Sequence, residues 1–359
     1  MKLIFTSYVS SPEYDRPVAW LQRIDVFTGI LHSLAKENDV TSIERINYEG
    51  EIIREDTRYV FIRLKNKISY WPQRMHGMIK ELAPDVVFIN GLLFPWQTIL
   101  LRKKLGPSVK IIVINRSEKP PHGIRRVLQR FADKYVHAYL FASAEFGSQW
   151  VSSGNIRDAG KIHEVMHGSS VFRAVDRPAI HSPVYLWVGR LNANKDPLTV
   201  VKAFIAFLRF APAAKLYMFY HTEELLQEVS ELIDADEKAS PSINLAGKLP
   251  HDQLQQWYNK ADFFVSGSHF EGGGIALVEA MSCGCIPVVT DIDSFRRLTG
   301  PGKCGLLFEP GDDSGLLQAL IRTTELDIPE ERKKVLHQFT EELSFGAIAK
   351  KINNIIQPA

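Results

Sequence analysis

Two acidic residues eight positions apart flank a glycine triplet in the segment Glu271-Gly-Gly-Gly-Ile-Ala-Leu-Val-Glu279. An apolar, strand-like run at 262–265 precedes it, and a helical pattern near 275–282 follows the glycines. Glycines let the backbone come close to a ligand, and the first N–H groups of a helix have no acceptor within it. The segment therefore predicts backbone donors for a phosphate and carboxylate acceptors for hydroxyl groups. Taken alone, Glu279 is explained equally well as an acidic residue near a helix start.

Two cations follow another predicted strand. The segment Val188-Gly189-Arg190-Leu-Asn-Ala-Asn-Lys195-Asp-Pro stands between a strand-like run at 184–188 and a helical pattern at 198–210. Cations at the carboxyl end of a strand can stabilise a departing phosphate. Without the glycine segment, Lys195 and Asp196 would be read as solvated loop charges.

The elements that must position these residues alternate between short apolar runs and amphipathic helical patterns, which is typical of parallel sheets covered on both faces. In the first half we predict strands at 3–6, 59–62, 85–89, 110–114 and 138–141, and helices at 20–35, 73–82, 96–104 and 124–134. In the second half we predict strands at 184–188, 215–219, 243–245, 262–265, 286–289 and 305–308, and helices at 198–210, 223–233, 252–260 and 275–282.

These elements predict two domains of the doubly wound α/β class. We assign residues 1–166 to the first domain, 167–183 to a linker and 184–338 to the second domain. Residues 339–359 are the last segment, and its amphipathic helix, predicted at 345–356, either completes the second domain or crosses back to the first. A ligand is expected in the cleft between the domains, outside the carboxyl ends of the strands.

The second half resembles the retaining glycosyltransferases of the family-4 type (glycosyl transferases group 1), which have the GT-B fold of two Rossmann-like domains facing across a cleft. Three further segments extend the likeness: Gly247-Lys248-Leu249-Pro250, Trp257-Tyr258 and Pro287-Val288-Val289. The resemblance implies that Arg190 and Lys195, beside Gly189, hold the donor diphosphate and that Glu279 accepts ribose hydroxyls. It also implies that Glu271 holds the transferred sugar with the amides of Gly273, Gly274 and Ile275, and that Lys248 and Leu249 lie along the base.

The implied activity is transfer of a hexose-type sugar, with retention, from a UDP-, GDP- or ADP-sugar to a saccharide or lipid-linked acceptor. The resemblance implies no metal and no further cofactor, and we interpret Asp291-Ile-Asp293 as a turn and helix cap rather than a metal motif. Two alternatives stay open, a non-catalytic nucleotide-sugar-binding protein and another GT-B enzyme such as a nucleotide-sugar epimerase. The first is motivated by residues 7–15, which lack the glycine-rich turn of the family.

Composition narrows the class of protein. Of 359 residues, 45% are hydrophobic and 23% are charged, with a net charge of +2, and no nucleic-acid-binding signature is present, so we expect no nucleic-acid partner. No apolar run reaches the roughly 20 residues of a membrane-spanning helix. The cysteines Cys283, Cys285 and Cys304 are interpreted as buried thiols, and the expected compartment is the cytoplasm.

A basic segment at 116–134 has two interpretations. Its cations are Arg116, Lys119, Arg125, Arg126, Arg130 and Lys134, and apolar residues at 124, 127, 128 and 131 share a helical face. One interpretation is peripheral contact with anionic lipid at the inner face of a membrane. The favoured one is a surface helix whose apolar stripe packs on the sheet. The histidines His122, His163 and His167 are favoured as structural residues.

Overall fold

The computed structural model describes residues 1–63, 71–176 and 183–357. The chain divides into two compact units, one of Met1–Ser169 with Phe345–Ala359 and one of Ser170–Ser344. Most of the stretch that the sequence suggests as a linker therefore falls within the second unit, and its residues 177–182 lie outside the described residues.

The first unit is built on a sheet whose strands follow the order β3-β4-β2-β1-β5-β6-β7-β8. All neighbours are parallel except β3 and β4, which form an antiparallel hairpin through Glu55 and Asp56, both with positive φ. Its strands are β1 (Lys2–Ser7), β2 (Asp39–Glu44), β3 (Gly50–Arg54), β4 (Thr57–Phe61), β5 (Val86–Asn90), β6 (Lys110–Ile114), β7 (Ala138–Phe141) and β8 (Ile162–Glu164).

The helices of this unit before the linker are α1 (Pro17–Arg23), α2 (Asp25–Ala35), α3 (Gln73–Glu81), α4 (Pro95–Leu105), α5 (Gly123–Ala132) and α6 (Ala144–Ser152). The prediction of one helix over 20–35 is wrong, because the backbone leaves helical geometry at Ile24 (φ −111°, ψ 21°). The sequence pattern also missed β2, β3, β8 and α6. For β3 the reason is physical: it lies at the sheet edge with Ile53 78% exposed, so the apolar signal of a covered strand is absent.

The second unit has a sheet of the order β11-β10-β9-β12-β13-β14, parallel throughout. Its strands are β9 (Val184–Gly189), β10 (Lys215–Tyr220), β11 (Ile243–Gly247), β12 (Phe263–Ser266), β13 (Ile286–Thr290) and β14 (Leu306–Phe308). Its helices are α7 (Pro197–Phe207), α8 (Leu226–Asp234), α9 (His251–Lys260), α10 (Ile275–Ser282), α11 (Asp293–Leu298), α12 (Asp313–Thr323) and α13 (Ile328–Gln338). Every residue of β12 and β13 is buried, as the continuous apolar runs predicted.

The last helix, α14 (Phe345–Ile356), packs on α2 in the first unit. A Cβ atom at Gly29 would stand within 2.6 Å of the Phe345 ring, so the contact requires glycine there. Asn38 Nδ2 donates to Asn353 Oδ1 at 3.2 Å, and Lys110 Nζ donates to the Ile356 carbonyl at 2.9 Å. The helix has the bounds that the sequence pattern predicts.

Candidate functional site

The strand order of the second unit creates a crevice between two loops. Strands β9 and β12 are neighbours at the centre of the sheet, but β9 continues through α7 to β10 on one side and β12 continues through α10 to β13 on the other. The loops that follow β9 and β12 therefore diverge at the carboxyl edge, which is where open α/β sheets bind ligands. Residues 190–196 and 267–274 form these loops.

One backbone hydrogen bond and one side-chain hydrogen bond join the two loops. The His269 N–H donates to the Asn194 carbonyl at 2.8 Å, and Asn194 Nδ2 donates to the Phe270 carbonyl at 3.0 Å. A Cβ atom at Gly267 would lie 2.9 Å from the Asp196 carbonyl oxygen, so only glycine allows this approach. These contacts fix the position of one loop relative to the other, and with it the relative positions of the side chains that the two loops carry.

An ion pair between Lys195 and Glu271 joins the loops across the crevice. The Lys195 Nζ contacts Glu271 Oε1, and the two side chains are only 16% and 15% exposed. The Ser268 hydroxyl donates to the same Glu271 oxygen at 2.9 Å and lies 3.0 Å from the Ser266 hydroxyl. The structure thus brings together a cation and a carboxylate that stand 76 positions apart in the sequence.

The Lys195 loop is completed by Asp196, which adopts the left-handed conformation (φ 41°) at the N-cap of α7. Its carboxylate accepts hydrogen bonds from the Thr199 N–H at 3.2 Å and the Thr199 hydroxyl at 2.7 Å. His269 Nε2 lies 3.2 Å from Asp196 Oδ2. This carboxylate therefore holds the start of α7 in place, so Asp196 is more than a solvated loop charge.

The glycine triplet leads into α10 as the sequence predicted. Gly274 is the N-cap residue, in the left-handed conformation (φ 60°), and a Cβ atom there would lie 2.8 Å from Leu298 Cδ1. The first helical bond of α10 runs from the Val278 N–H to the Gly274 carbonyl. The three N–H groups before it, beginning with that of Ile275, have no acceptor within the helix and form an electropositive end. Gly273 is half-buried in the bend before the cap.

The second carboxylate, Glu279, lies one turn into α10 and is 5% exposed. Its Oε1 lies 2.6 Å from His251 Nε2, and its Oε2 accepts a hydrogen bond from the Tyr258 hydroxyl at 3.1 Å. Burial and the charge of Glu279 raise the pKa of Tyr258 well above its ordinary value, so this hydroxyl remains a donor. The Phe172 ring packs on the His251 imidazole with centroids 4.8 Å apart.

The remaining predicted site residues lie at the same edge of the sheet but make fewer contacts. Arg190 follows the last residue of β9, Gly189, and is exposed; no hydrogen bond or ion pair joins its guanidinium to the residues that the structure describes. Lys248, also exposed, and the half-buried Leu249 follow the end of β11, where Gly247 has φ 69°.

Sequence reasoning missed four polar residues that hold the site: Asn194, His251, Ser268 and His269. Their types carry no strong signal, since Asn, His and Ser are common in loops. The pattern Ser-Gly-Ser-His before Glu271 places two hydroxyls next to a glycine after a buried strand, and that is the signal that could have pointed to Ser268. Tyr258 was quoted only as part of a family motif, and its contact with Glu279 depends on tertiary structure.

Other predicted residues have structural settings. All three cysteines are free and buried, which confirms the interpretation as core thiols, and burial raises the pKa of Cys304 to about 12. His163 lies on β8, and burial lowers its pKa. His122 is the N-cap residue of α5 without a side-chain cap bond. The cap of α11 is Ile292, so the interpretation of Asp291 and Asp293 as a helix cap is wrong; both pair with Arg296 instead.

The favoured interpretation of the basic segment is also wrong. Helix α5 turns Gln129 and Ala132 inward, whereas Ile124, Val127 and Phe131 are 85%, 67% and 44% exposed. Only Leu128, which is half-buried, leans toward the interior. The apolar stripe therefore faces outward instead of packing on the sheet.

Two features are absent from the described residues. Within 1–63, 71–176 and 183–357, no group of three or more His, Cys, Asp or Glu side chains is arranged to hold a metal ion. Across the same ranges, none of the helices combines the length and the apolar character needed to cross a membrane.

Comparison with known proteins finds a family match in the second half of the chain. Residues 173–339 match the model of the glycosyl transferases group 1. A GDP-mannose:cellobiosyl-diphosphopolyprenol alpha-mannosyltransferase of Xanthomonas oryzae is 31% identical over 122 residues, which are 34% of this chain and only about a third (32%) of that enzyme's own length. An N-acetylgalactosamine-N,N'-diacetylbacillosaminyl-diphospho-undecaprenol 4-alpha-N-acetylgalactosaminyltransferase of Campylobacter jejuni is 29% identical over 279 residues, 73% of each chain.

A solved structure extends the likeness to the whole fold. The sucrose-phosphate synthase of Thermosynechococcus elongatus superposes with a TM-score of 0.67 at 17% identity, over 99% of this chain and 98% of that one. At this identity the likeness concerns the fold alone. Residues 173–339 of this chain match the glycosyl transferases group 1, and its two parallel-sheet α/β domains have the GT-B fold.

Proposed function

We propose that this protein is a glycosyltransferase that moves a hexose-type sugar from a nucleoside-diphosphate donor to a saccharide or lipid-linked acceptor. The observation that carries the proposal is the Lys195–Glu271 pair in the crevice between the loops after β9 and β12, beside the N-terminus of α10. A cation, a carboxylate and unpaired backbone donors at one sheet edge suit a diphosphate linked to a hydroxylated sugar.

Each residue is assigned a role that suits its charge and hydrogen-bonding capacity. When a donor enters, Lys195 and the exposed Arg190 bind the diphosphate and neutralise the charge that develops as the sugar–phosphate bond breaks. Glu271, released from Lys195, accepts hydrogen bonds from the sugar hydroxyls, and the amides of Gly273, Gly274 and Ile275 bind the distal phosphate or the sugar.

We assign the nucleoside to Glu279 in helix α10 and to the loop that follows β11. Each oxygen of the Glu279 carboxylate has one identified protein partner, His251 or Tyr258, and a second lone pair on each remains for a ribose hydroxyl. Lys248 and Leu249 follow Gly247 at the end of β11, and we assign them to the base. The transfer is proposed to proceed with retention and without a metal ion, as is characteristic of the family that the motifs resemble.

The acceptor is proposed from the relatives. Two of them are named for transfer to diphosphopolyprenol or diphospho-undecaprenol glycans, so a lipid-linked glycan is the acceptor class to test first. The donor sugars in the two names differ, mannose in one and N-acetylgalactosamine in the other. The donor is therefore best determined with a panel of nucleotide sugars.

The test is incubation of the protein with labelled UDP-, GDP- and ADP-sugars, with and without a lipid-linked oligosaccharide. A transferase releases nucleoside diphosphate and transfers label to the acceptor. An epimerised donor would instead indicate a nucleotide-sugar epimerase, and binding without turnover would indicate a non-catalytic binder. Lys195→Met should lower the rate of release on the order of 100-fold, whereas Lys202→Met, which changes an exposed lysine on α7, should leave it intact. Equal rates in the two variants would contradict the assigned role of Lys195.

A further inference from the structure

Helix α5 carries a surface that does not belong to the donor site. We call Ile124, Val127 and Phe131, together with Arg125, Arg126 and Arg130, the α5 surface. Its three apolar side chains are 85%, 67% and 44% exposed, although they stand at positions i, i+3 and i+7 of one helix. A helix on a water-facing surface normally turns such a stripe inward. Contiguous exposed apolar residues of this kind mark an interaction site.

The stripe cannot turn inward, because other residues already occupy the inner face of α5. Gln129 is 3% exposed, and its side chain donates to the Tyr139 hydroxyl at 3.4 Å. Ala132 is 1% exposed on the same side. Gln129 and Ala132 fix the rotation of the helix, so the outward position of the apolar stripe is part of the folded structure.

The charges around the stripe are of one sign. The range 123–132 contains three arginines and no acidic residue, and all three arginines are exposed. In the residues that the structure describes, none of these guanidinium groups forms an ion pair. Lys134 adds a fourth cation, whose Nζ lies 5.3 Å from the centre of the Phe131 ring.

The two acidic residues of the wider segment do not neutralise this surface. The Glu118 carboxylate accepts the N–H groups of Leu92 and Arg116, and therefore serves the loops after β5 and β6. Asp133 is 1% exposed, accepts a hydrogen bond from the Tyr139 hydroxyl and pairs with Lys161. The outer side of α5 therefore combines apolar side chains with uncompensated positive charge.

We propose that the α5 surface docks the protein on an anionic lipid bilayer. Apolar side chains on an exposed helical face can enter the headgroup–acyl boundary, while flanking arginines bind anionic headgroups. The exposed cations of the α5 surface are all of one sign, which complements an anionic headgroup layer. The inference does not depend on transferase activity, because docking is measured without donor or acceptor.

The chain offers a matched pair of variants for the test. The adjacent residues Arg130 and Phe131 belong to the α5 surface, and the adjacent residues Arg209 and Phe210 form an exposed Arg-Phe pair on the second unit, with Phe210 60% exposed. The experiment is flotation with vesicles of phosphatidylglycerol and phosphatidylcholine, or of phosphatidylcholine alone, over a range of salt concentrations. The variants are Arg130→Glu/Phe131→Ser and Arg209→Glu/Phe210→Ser.

The wild-type protein should float with the anionic vesicles, bind less as salt rises, and bind phosphatidylcholine weakly. Each basic residue near an anionic surface contributes roughly a fivefold change in partition. Reversal of one charge with loss of one ring should therefore lower binding by at least about tenfold, while the Arg209/Phe210 variant matches wild type. Ile124→Ser, at the most exposed position, should lower binding without affecting the fold.

Three outcomes would overturn the proposal. One is a wild-type protein that does not float with anionic vesicles. Another is equal loss of binding in the two double variants, which would indicate a non-specific effect. The third is self-association that the Arg130/Phe131 variant abolishes in the absence of any vesicle binding, which would make α5 an interface between copies. Nucleoside-diphosphate release from a soluble donor should be unchanged in the variant, so failure here is distinguishable from failure of the proposed activity.

Discussion

Replacing Glu271 by glutamine tests the ion pair at the centre of the site. The Lys195 ammonium contacts the Glu271 carboxylate, so a diphosphate bound as proposed would compete with Glu271 for the same cation. Glu271→Gln removes the competing charge and keeps the shape of the side chain. The variant should bind nucleoside diphosphate more tightly than wild type, although it should transfer sugar more slowly.

The magnitude follows from the burial of the pair. A hydrogen bond to a charged group contributes about 1.5–3 kcal/mol, and each 1.4 kcal/mol corresponds to a tenfold change in affinity. The two side chains are 16% and 15% exposed, so water still screens the pair and the lower limit applies. We expect nucleoside diphosphate to bind Glu271→Gln about tenfold more tightly and Lys195→Met at least about tenfold more weakly. In both variants kcat should fall on the order of 100-fold.

Isothermal titration calorimetry with UDP, GDP and ADP measures the affinities, and release of nucleoside diphosphate from the matching sugar donor measures kcat. Ser268→Ala is the matched control, because it removes a hydrogen bond to the same Glu271 oxygen and retains the ion pair. Its affinity for nucleoside diphosphate should stay within about threefold of wild type, since the Ser268 hydroxyl contacts Glu271 and the variant keeps the Lys195 cation. If Glu271→Gln weakens nucleoside diphosphate binding as much as Lys195→Met does, the competition argument is wrong.

Three further predictions concern stability, each measured by urea denaturation. Gly274→Ala should lower the free energy of unfolding by about 2–3 kcal/mol, because it adds a steric contact to a left-handed backbone. The control Gly302→Ala, with φ 74° and open space around the Cβ position, should lower it by only about 1 kcal/mol. Equal losses in the two variants would contradict the steric argument. Tyr258→Phe should cost about 1.5–3 kcal/mol by removing the hydrogen bond to the buried Glu279 carboxylate, and an unchanged midpoint would refute this. Burial, with a neighbouring lysine, lowers the pKa of His76 to about 4, so below pH ~6.5 the unfolded chain binds a proton that the native chain does not. The free energy of unfolding should therefore fall by up to ~3 kcal/mol between pH ~6.5 and ~4. His76→Gln should reduce this dependence of stability on pH.

The pattern of the second half predicted all six strands of its sheet, of which β12 and β13 are buried throughout, but it missed helices α11, α12 and α13. Strand β13 and helix α10 lie within a residue of their predicted bounds, since a continuous apolar run and a glycine triplet are both local signals. The edge strand β3 escaped prediction because exposure removes the apolar signal. The break at Ile24 escaped as well, since no glycine or proline marks it.

The sequence by itself indicated the alternation of strands and helices, the six strands of the second sheet, the glycines before α10, and the cations and carboxylates of the proposed donor site. Residue type and local spacing fix these features, because backbone freedom, charge and hydrogen-bonding capacity belong to the residue. Only the tertiary structure decided that Lys195 contacts Glu271, that Glu279 is held by His251 and Tyr258, and that the apolar stripe of α5 faces outward. Each of these depends on which distant segments the sheet order brings together, or on which face of a helix its neighbours leave uncovered, and periodicity along one segment carries neither piece of information.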